Sequence, residues 1–207
     1  MSPRRYQLGK RAATVAETRV RILEAARAVF AEDGFHRAAV DEVARRADVA
    51  RATVYYQFGP KLRLVEAVLD DIERRGRQER VIAAVALPDA VEATRRAFKE
   101  GSRFWAAQHV LVRKLIGLAA ADPETRQLVQ ERDRNRLALV TRLAERLAEQ
   151  RRLRAGCTVE EAVHTLWLLS SFEAFDQLFT GRRLGADAIA SLLFGLAERA
   201  LLAEASP

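Results

Sequence analysis

An intramolecular disulfide is excluded, because the 207 residues include a single cysteine, Cys157. A lone thiol fits a reducing cytoplasm better than a disulfide-stapled secreted scaffold. Long apolar runs are missing as well: no stretch reaches the roughly 18 uncharged apolar residues expected of a membrane span, so no membrane partner is expected. The opening MSPRRYQLGKR is basic and lacks the apolar segment of a secretory leader. Glycine and proline are modest at 10 and 5 residues while 49% of the chain is hydrophobic, a balance that argues against disorder. Histidines are few and scattered, at His36, His109 and His164. Cys157 and His164 could share a helix face, but no third ligand completes a metal set. No phosphate loop, nucleophile elbow or hydride-cofactor fingerprint occurs. Neither an enzyme, a metal site nor a bound cofactor is expected.

Charge is plentiful and unevenly placed. Residues 1–63 hold thirteen Lys or Arg against seven Asp or Glu, whereas residues 64–207 hold twenty-two against twenty-one. Nearly all of the net +7 therefore lies in the first third. A basic head on a near-neutral body suggests a polyanion-binding unit joined to a unit with another task.

The pattern is helical throughout. Residues 1–17 are polar and basic, expected as a flexible arm. From Thr18, a plausible N-cap, Ile22, Ala25, Ala26, Val29 and Phe30 form one stripe. Gly34 can end that helix, with Phe35 folding back on its last turn. Residues 39–47 give a two-turn helix with Val40, Val43, Ala44 and Ala47 on one face and Asp41 and Glu42 in the first turn. After a three-residue break, Arg51 to Phe58 form another short helix, which must share a core with its neighbours because isolated short helices are unstable. Gly59-Pro60 then opens a helix reaching about Arg80. Beyond Leu87-Pro88, helices are expected over roughly 89–107, 109–120, 123–153, 158–180 and 185–204. Asp122-Pro123, Gly156 and Gly181 mark the breaks. The fold class is all-α, with about nine helices.

Two short helices separated by a tight turn make a helix-turn-helix, whose second member can enter a major groove. Its apolar side would be Val49, Val54 and Phe58, with Ala52 in part. Arg51, Thr53, Tyr56 and Gln57 would face the other way. Arginine and glutamine match base-edge patterns and threonine meets bases or phosphates. Tyrosine hydroxyls and Lys61 suit phosphate oxygens. Taken singly, the two tyrosines read equally as packing, and Tyr55 could point partly inward.

The segment RVRILEAARAVFAEDGFHRAAVDEVARRADVARATVYYQFGPKLRLV, residues 19–65, resembles the head of the TetR family of bacterial transcriptional regulators. That family's pattern runs R..IL.AA...F...GF, then T..V..IA..A.V....LY..F..K..L. The resemblance covers about a quarter of the chain. It implies a DNA-binding helix-turn-helix over residues 18–63 and a ligand-binding and dimerisation body over 64–207. It assigns DNA contact to Ala39, Arg51, Ala52, Thr53, Tyr55, Tyr56, Gln57 and Lys61, with sequence choice falling mainly to Arg51, Ala52 and Gln57. Arg4, Arg5, Lys10 and Arg11 could reach a minor groove or merely solubilise a tail. Three positions depart from the pattern: Asp48 stands at the usual turn glycine, Ala38-Ala39 replaces the usual capping threonine, and the acid after Lys61 is absent.

Residues 163–179 and 188–202 carry more apolar surface than one core-facing stripe needs, so cover on a second side is expected. The resemblance implies a homodimer through the last two helices, with Leu169, Phe172, Leu192, Leu193 and Leu196 as its contacts. Two-fold symmetry would match palindromic double-stranded DNA with heads about 34 Å apart. Phe98, Trp105 and His109 fall near one helix face, and Trp167, Ser171 and Phe175 recur every four residues. With Phe172 and Arg136 they could enclose a pocket for a non-covalent, apolar or aromatic effector; plain core packing is the alternative. Arg132 and Arg136 could anchor an anion or form a salt-bridged face with Glu131 and Asp133. These features together predict a ligand-responsive, sequence-specific transcriptional repressor, cytoplasmic and nucleoid-associated when on DNA. The alternatives are an activator, an effector-independent regulator, or a helical interaction module with weakened DNA binding.

Overall fold

The computed structural model describes residues 3–32 and 39–203, with side chains from residue 14 onward. Among them lie ten helices: α1 (Pro3–Glu32), α2 (Ala39–Arg46), α3 (Arg51–Phe58), α4 (Lys61–Arg75), α5 (Gln78–Val85), α6 (Ala90–Ala121), α7 (Pro123–Glu149), α8 (Val159–Leu169), α9 (Phe172–Phe179) and α10 (Ala186–Leu201). The all-α expectation holds, with ten helices in place of about nine. The proposed stop at Gly34, the fold-back of Phe35, and Ala38 lie outside the described residues, as do the side chains of Arg4, Arg5, Lys10 and Arg11.

Several expected boundaries move, each for a local reason. The first helix begins at Pro3, not Thr18. Thr18 is no cap; its hydroxyl donates to the Thr14 carbonyl one turn back, 2.8 Å away, as a mid-helix threonine does. The helix begun near Pro60 ends at Arg75, because Arg77 adopts a left-handed backbone (φ 61°) and α5 starts anew. Residues 90–121 are one continuous helix; neither proline nor glycine stands at 108–109 to break it. The expected helix over 158–180 is divided instead. Ser171 accepts a hydrogen bond from the Ala174 amide at 3.1 Å and so caps α9, ending α8 at Leu169.

Helix stops with left-handed residues recur. At the end of α2 the Val49 amide donates to the Ala44 carbonyl (3.0 Å) and the Asp48 amide to that of Arg45 (3.3 Å). With Asp48 at φ 52°, this is a Schellman stop with aspartate where glycine is usual. Arg151 (φ 54°) ends α7 the same way, with Arg152 bonded to Leu147 and Arg151 to Ala148. The turn from α3 to α4 does use glycine: Gly59 has φ 77° and its amide donates to the Tyr55 carbonyl at 2.8 Å.

The chain forms two compact units, Met1–Ile72 with Val110–Val129, and Glu73–His109 with Gln130–Pro207. In the first, α1 packs on α2 and α2 on α3. Ile22, Ala26, Val29, Phe30, Val43, Val54 and Leu64 are fully buried there. A buried ion pair, Arg27 Nη1 to Asp71 Oδ2 at 2.9 Å, ties α1 to α4. In the second unit, Phe98, Leu143, Leu147, Leu166, Phe175, Ile189 and Leu193 share one core. Arg146 of α7 donates to the carbonyls of Val85, Leu87 and Pro88, closing the end of α5. Gln150 accepts from the Ala90 amide at 2.9 Å and so supports the start of α6.

Candidate functional site

The first candidate surface is built on α3. Its eight residues bury Val54 and Phe58 and leave the remaining side chains at or near the surface. Arg51, Ala52, Tyr55 and Tyr56 are exposed, Tyr56 by 84%. Thr53, Gln57 and Lys61 are half-buried. Val49, expected on the apolar side, is half-buried. Ala39, by contrast, is buried as the first residue of α2, so its side chain offers no contact surface.

Electrostatics organise this surface. Glu42 accepts from both Arg45 (2.8 and 2.6 Å) and Arg46 (2.6 Å), and those hydrogen bonds lower its carboxyl to about 2. Asp41, in the same first turn, pairs across to Arg51 at 2.9 Å. Lys61 lies close enough to Asp122 to help hold that carboxyl below the ordinary range, after the dominant hydrogen bonds from Thr125. The sequence assigns Arg19 no contact beyond its place in the resembled pattern. Its guanidinium lies over the Phe58 ring at 4.1 Å and donates to the Gln57 carbonyl. No local pattern marks such a contact, since the partners stand 38 positions apart.

A second candidate lies within the other unit. A small cavity of about 20 Å³ is lined by Phe98, Gly101, Ser102, Trp105, Ser171 and Phe175, among others. Four of the eight proposed effector residues therefore meet there. Trp105 also packs edge-on to Phe172 (5.5 Å) and donates its indole N–H to the Ser170 carbonyl at 3.2 Å. His109 is drawn into a neighbouring polar cluster. Its Nε2 is 2.6 Å from Asp176 Oδ1, and the Thr180 hydroxyl donates to the same oxygen at 2.7 Å. Phe172 and Phe179 flank the imidazole at 5.7 and 4.8 Å. Asp176 and Thr180, one helical turn apart, were not anticipated.

Arg136 and Trp167 stand apart from the cavity lining. Arg136 donates to Asp133 (2.7 Å), the Ser170 hydroxyl (2.9 Å) and the Trp167 carbonyl (2.6 Å), and lies 5.1 Å from the Trp167 ring centroid. Arg132 reaches Glu73 at 3.6 Å and Glu131 at 3.8 Å. Both arginines thus belong to a salt-bridged face. Among the described residues, no group of three or more His, Cys, Asp or Glu could hold a metal ion, and no helix is long and apolar enough to cross a membrane.

The residues assigned to dimer contact separate into two sets. Leu192 and Leu196, one turn apart on α10, are exposed. Leu193 and Phe172 are buried in their own unit, so their side chains are not surface contacts; the helix phase turns them to the core. Leu169 is half-buried. Leu168, exposed by 62%, and Trp167 extend the apolar surface on α8, which packs on α10.

Residues 22–68 match the sequence profile described as "Bacterial regulatory proteins, tetR family". The HTH-type transcriptional regulator SrpR of Pseudomonas putida is 47% identical over 60 residues, covering 29% of this chain and 28% of that protein. The match thus spans under a third of that relative's length. Along nearly the whole chain, the fold resembles NalD of Pseudomonas aeruginosa, described as the secondary repressor of the MexAB-OprM multidrug efflux pump. That pair shows a TM-score of 0.70 and 26% identity, over 93% of this chain and 100% of NalD. A transcriptional regulator from Saccharomonospora viridis, solved in complex with choline, shares the fold at a TM-score of 0.71 and 18% identity, over 91% of this chain and 100% of that one. Residues 22–68 thus carry the sequence pattern of the tetR family of bacterial regulatory proteins, and the fold of the chain resembles that of NalD.

Proposed function

We propose that this regulator is a transcriptional repressor that binds palindromic DNA as a homodimer and is released by a small-molecule effector. Residues 18–63 serve as its DNA-binding head and 64–207 as its effector-binding and dimerisation body. The observation that carries the reading is α3. It is a short helix held by Val54 and Phe58 whose outer side presents Arg51, Tyr55 and Tyr56. Those groups suit a major groove and its flanking phosphates. Asp48 adopts the left-handed backbone (φ 52°) at the turn position where the motif usually has glycine.

The two-fold partner is supported by exposed Leu168, Leu192 and Leu196 on neighbouring helices of one unit. Cover over these side chains would bury apolar surface that is costly in water. The effector role is supported by the aromatic lining around Phe98, Trp105 and Phe175. At about 20 Å³ the cavity admits roughly one water, so an apolar or aromatic effector enters by pushing the lining apart. That displacement is what couples effector binding to a change of state. The description of NalD as an efflux-pump repressor supports repression over activation. As a cytoplasmic regulator the protein needs no cofactor, and it is not an enzyme.

A gel shift on the DNA upstream of its own gene, at moderate salt, tests the reading. Binding to a palindrome in preference to random duplex is the expected result, and no preference for any palindrome would refute it.

A further inference from the structure

The first turn of α2 carries two acids with different partners. Glu42 is engaged by Arg45 and Arg46 of its own helix. That pairing already places a carboxylate at the positive end of α2. Asp41 reaches out of the helix to Arg51, the first residue of α3. Arg51 Nη1 donates to both Asp41 oxygens, at 2.9 and 3.1 Å, while Nη2 donates to the Tyr55 hydroxyl at 3.2 Å. The guanidinium carbon also sits 5.5 Å from the Tyr55 ring centroid.

All three side chains are exposed. Exposed ion pairs contribute little to stability, so holding the fold is a poor account of this arrangement. Its physical effect is on Arg51 itself. A free arginine samples many rotamers and loses them on binding, whereas a clamped one has already lost them. The guanidinium has five N–H donors, and the contacts to Asp41 and Tyr55 leave others open. Among base edges, the forked donors of arginine fit the O6 and N7 acceptors of guanine.

Resting on the DNA-binding reading above, we infer that Asp41 is a positioning residue for sequence recognition. With Tyr55 it holds Arg51 in place to take guanine at one position of each half-site, so Asp41 determines specificity without touching a base. Its charge has a second consequence of opposite sign. A carboxylate on a surface that meets phosphates weakens sequence-independent binding, which depends on net positive charge. Removing the charge should therefore lower base discrimination and raise affinity for random DNA. Damage to the fold lowers both.

The test is selection of binding sites by the full chain from a pool of randomised duplexes. Titration of the selected site and its single-base variants follows, alongside random duplex, at one fixed salt concentration. Wild type, Arg51→Ala, Asp41→Asn and Asp41→Glu are compared. Wild type should prefer guanine at one half-site position by roughly tenfold or more. Arg51→Ala should erase that preference alone. Asp41→Asn should cut it roughly three- to tenfold while binding random duplex more tightly. Asp41→Glu, which keeps the carboxylate, should retain more of it. Unchanged guanine preference in Asp41→Asn, with both affinities raised alike, would mean that Asp41 only repels phosphates and overturns the inference. So would an equal loss of both affinities with a lower melting temperature, or base preferences untouched by Arg51→Ala. If wild type selects no site at all, the DNA-binding reading itself falls, and the inference with it.

Discussion

The guanidinium of Arg19, on α1, lies over the ring of Phe58, on α3, with its central carbon 4.1 Å from the ring centroid. Phe58 is buried, so the contact joins the last residue of α3 to the helix beneath it. The same arginine donates to the carbonyl of Gln57, one of the groups that a helix end leaves without an intrahelical partner. Two effects thus converge on one side chain, a cation–π contact and a charged hydrogen bond.

Arg19→Ala should therefore cost about 1–2 kcal/mol of stability, given the usual worth of an exposed cation–π contact and a charge-assisted bond. Arg19→Lys should recover only part, because an ammonium lacks the planar fork that allows stacking and donation together. Equilibrium urea unfolding measures both variants. An unchanged midpoint for Arg19→Ala would mean that the contact adds nothing. DNA affinity should fall as well, since the free end of α3 is then less fixed.

Asp48 and Arg151 make a second prediction. Both stand in left-handed conformations at Schellman stops. A side chain there costs roughly 1–2 kcal/mol for most residues and less for aspartate. Asp48→Gly should raise stability by up to about 1 kcal/mol, and Arg151→Gly by somewhat more, offset in both by the greater freedom of glycine in the unfolded chain. Alanine at either position should give no gain. Melting temperatures of the four variants decide the matter; a gain with alanine equal to that with glycine would remove the backbone explanation.

These stops also show which features were legible in the sequence. Short-range features were plain. The limits of α3 and its inward Val54 and Phe58 follow from spacing, while only the family resemblance marked Asp48 as the turn position. Asp122-Pro123 likewise marks the start of α7. Elsewhere a local signal was outweighed or absent. Thr18 resembles a cap, yet the helix runs through it from Pro3. Ser170-Ser171 interrupts an apolar run that otherwise reads as one helix. Leu192 and Leu193 are chemically alike, and only the phase of α10 against its neighbours exposes one and buries the other. Partners distant in sequence left no trace: neither Asp176 beside His109 nor Arg19 beside Phe58 has a pattern that spacing could reveal.

The buried pair Arg27–Asp71 behaves differently from a surface bridge. The Asp71 side chain is only 1% exposed, and that of Arg27 is 15% exposed. Removing Asp71 takes from the half-buried Arg27 guanidinium its carboxylate contact, so Asp71→Ala should cost up to about 3–5 kcal/mol. Replacing both with apolar groups removes the two desolvation penalties together. Arg27→Met combined with Asp71→Leu should regain most of the loss. Urea unfolding of the single and double variants checks this, and a double variant no more stable than Asp71→Ala would contradict it.

Asp122 supplies a pH-dependent prediction. It caps α7, accepting from the Thr125 amide at 2.8 Å, and the Thr125 hydroxyl and amide hold its carboxyl below the ordinary range. The carboxylate is thus favoured in the folded chain relative to the unfolded one. Its contribution is present above the unfolded pKa of about 3.9 and is lost as pH falls through the lower folded value. At pH 7, Asp122→Ala should cost about 1 kcal/mol, the usual worth of an N-cap. Asp122→Asn should cost much less there, since asparagine caps about as well. As pH drops below about 3.9 the gap between wild type and Asp122→Ala should narrow, because protonation removes the charged acceptor. Denaturant midpoints of the three proteins from pH 7 down to the acid limit of folding test this. A gap that stays constant across that range would show that the cap acts through geometry alone and not through its charge.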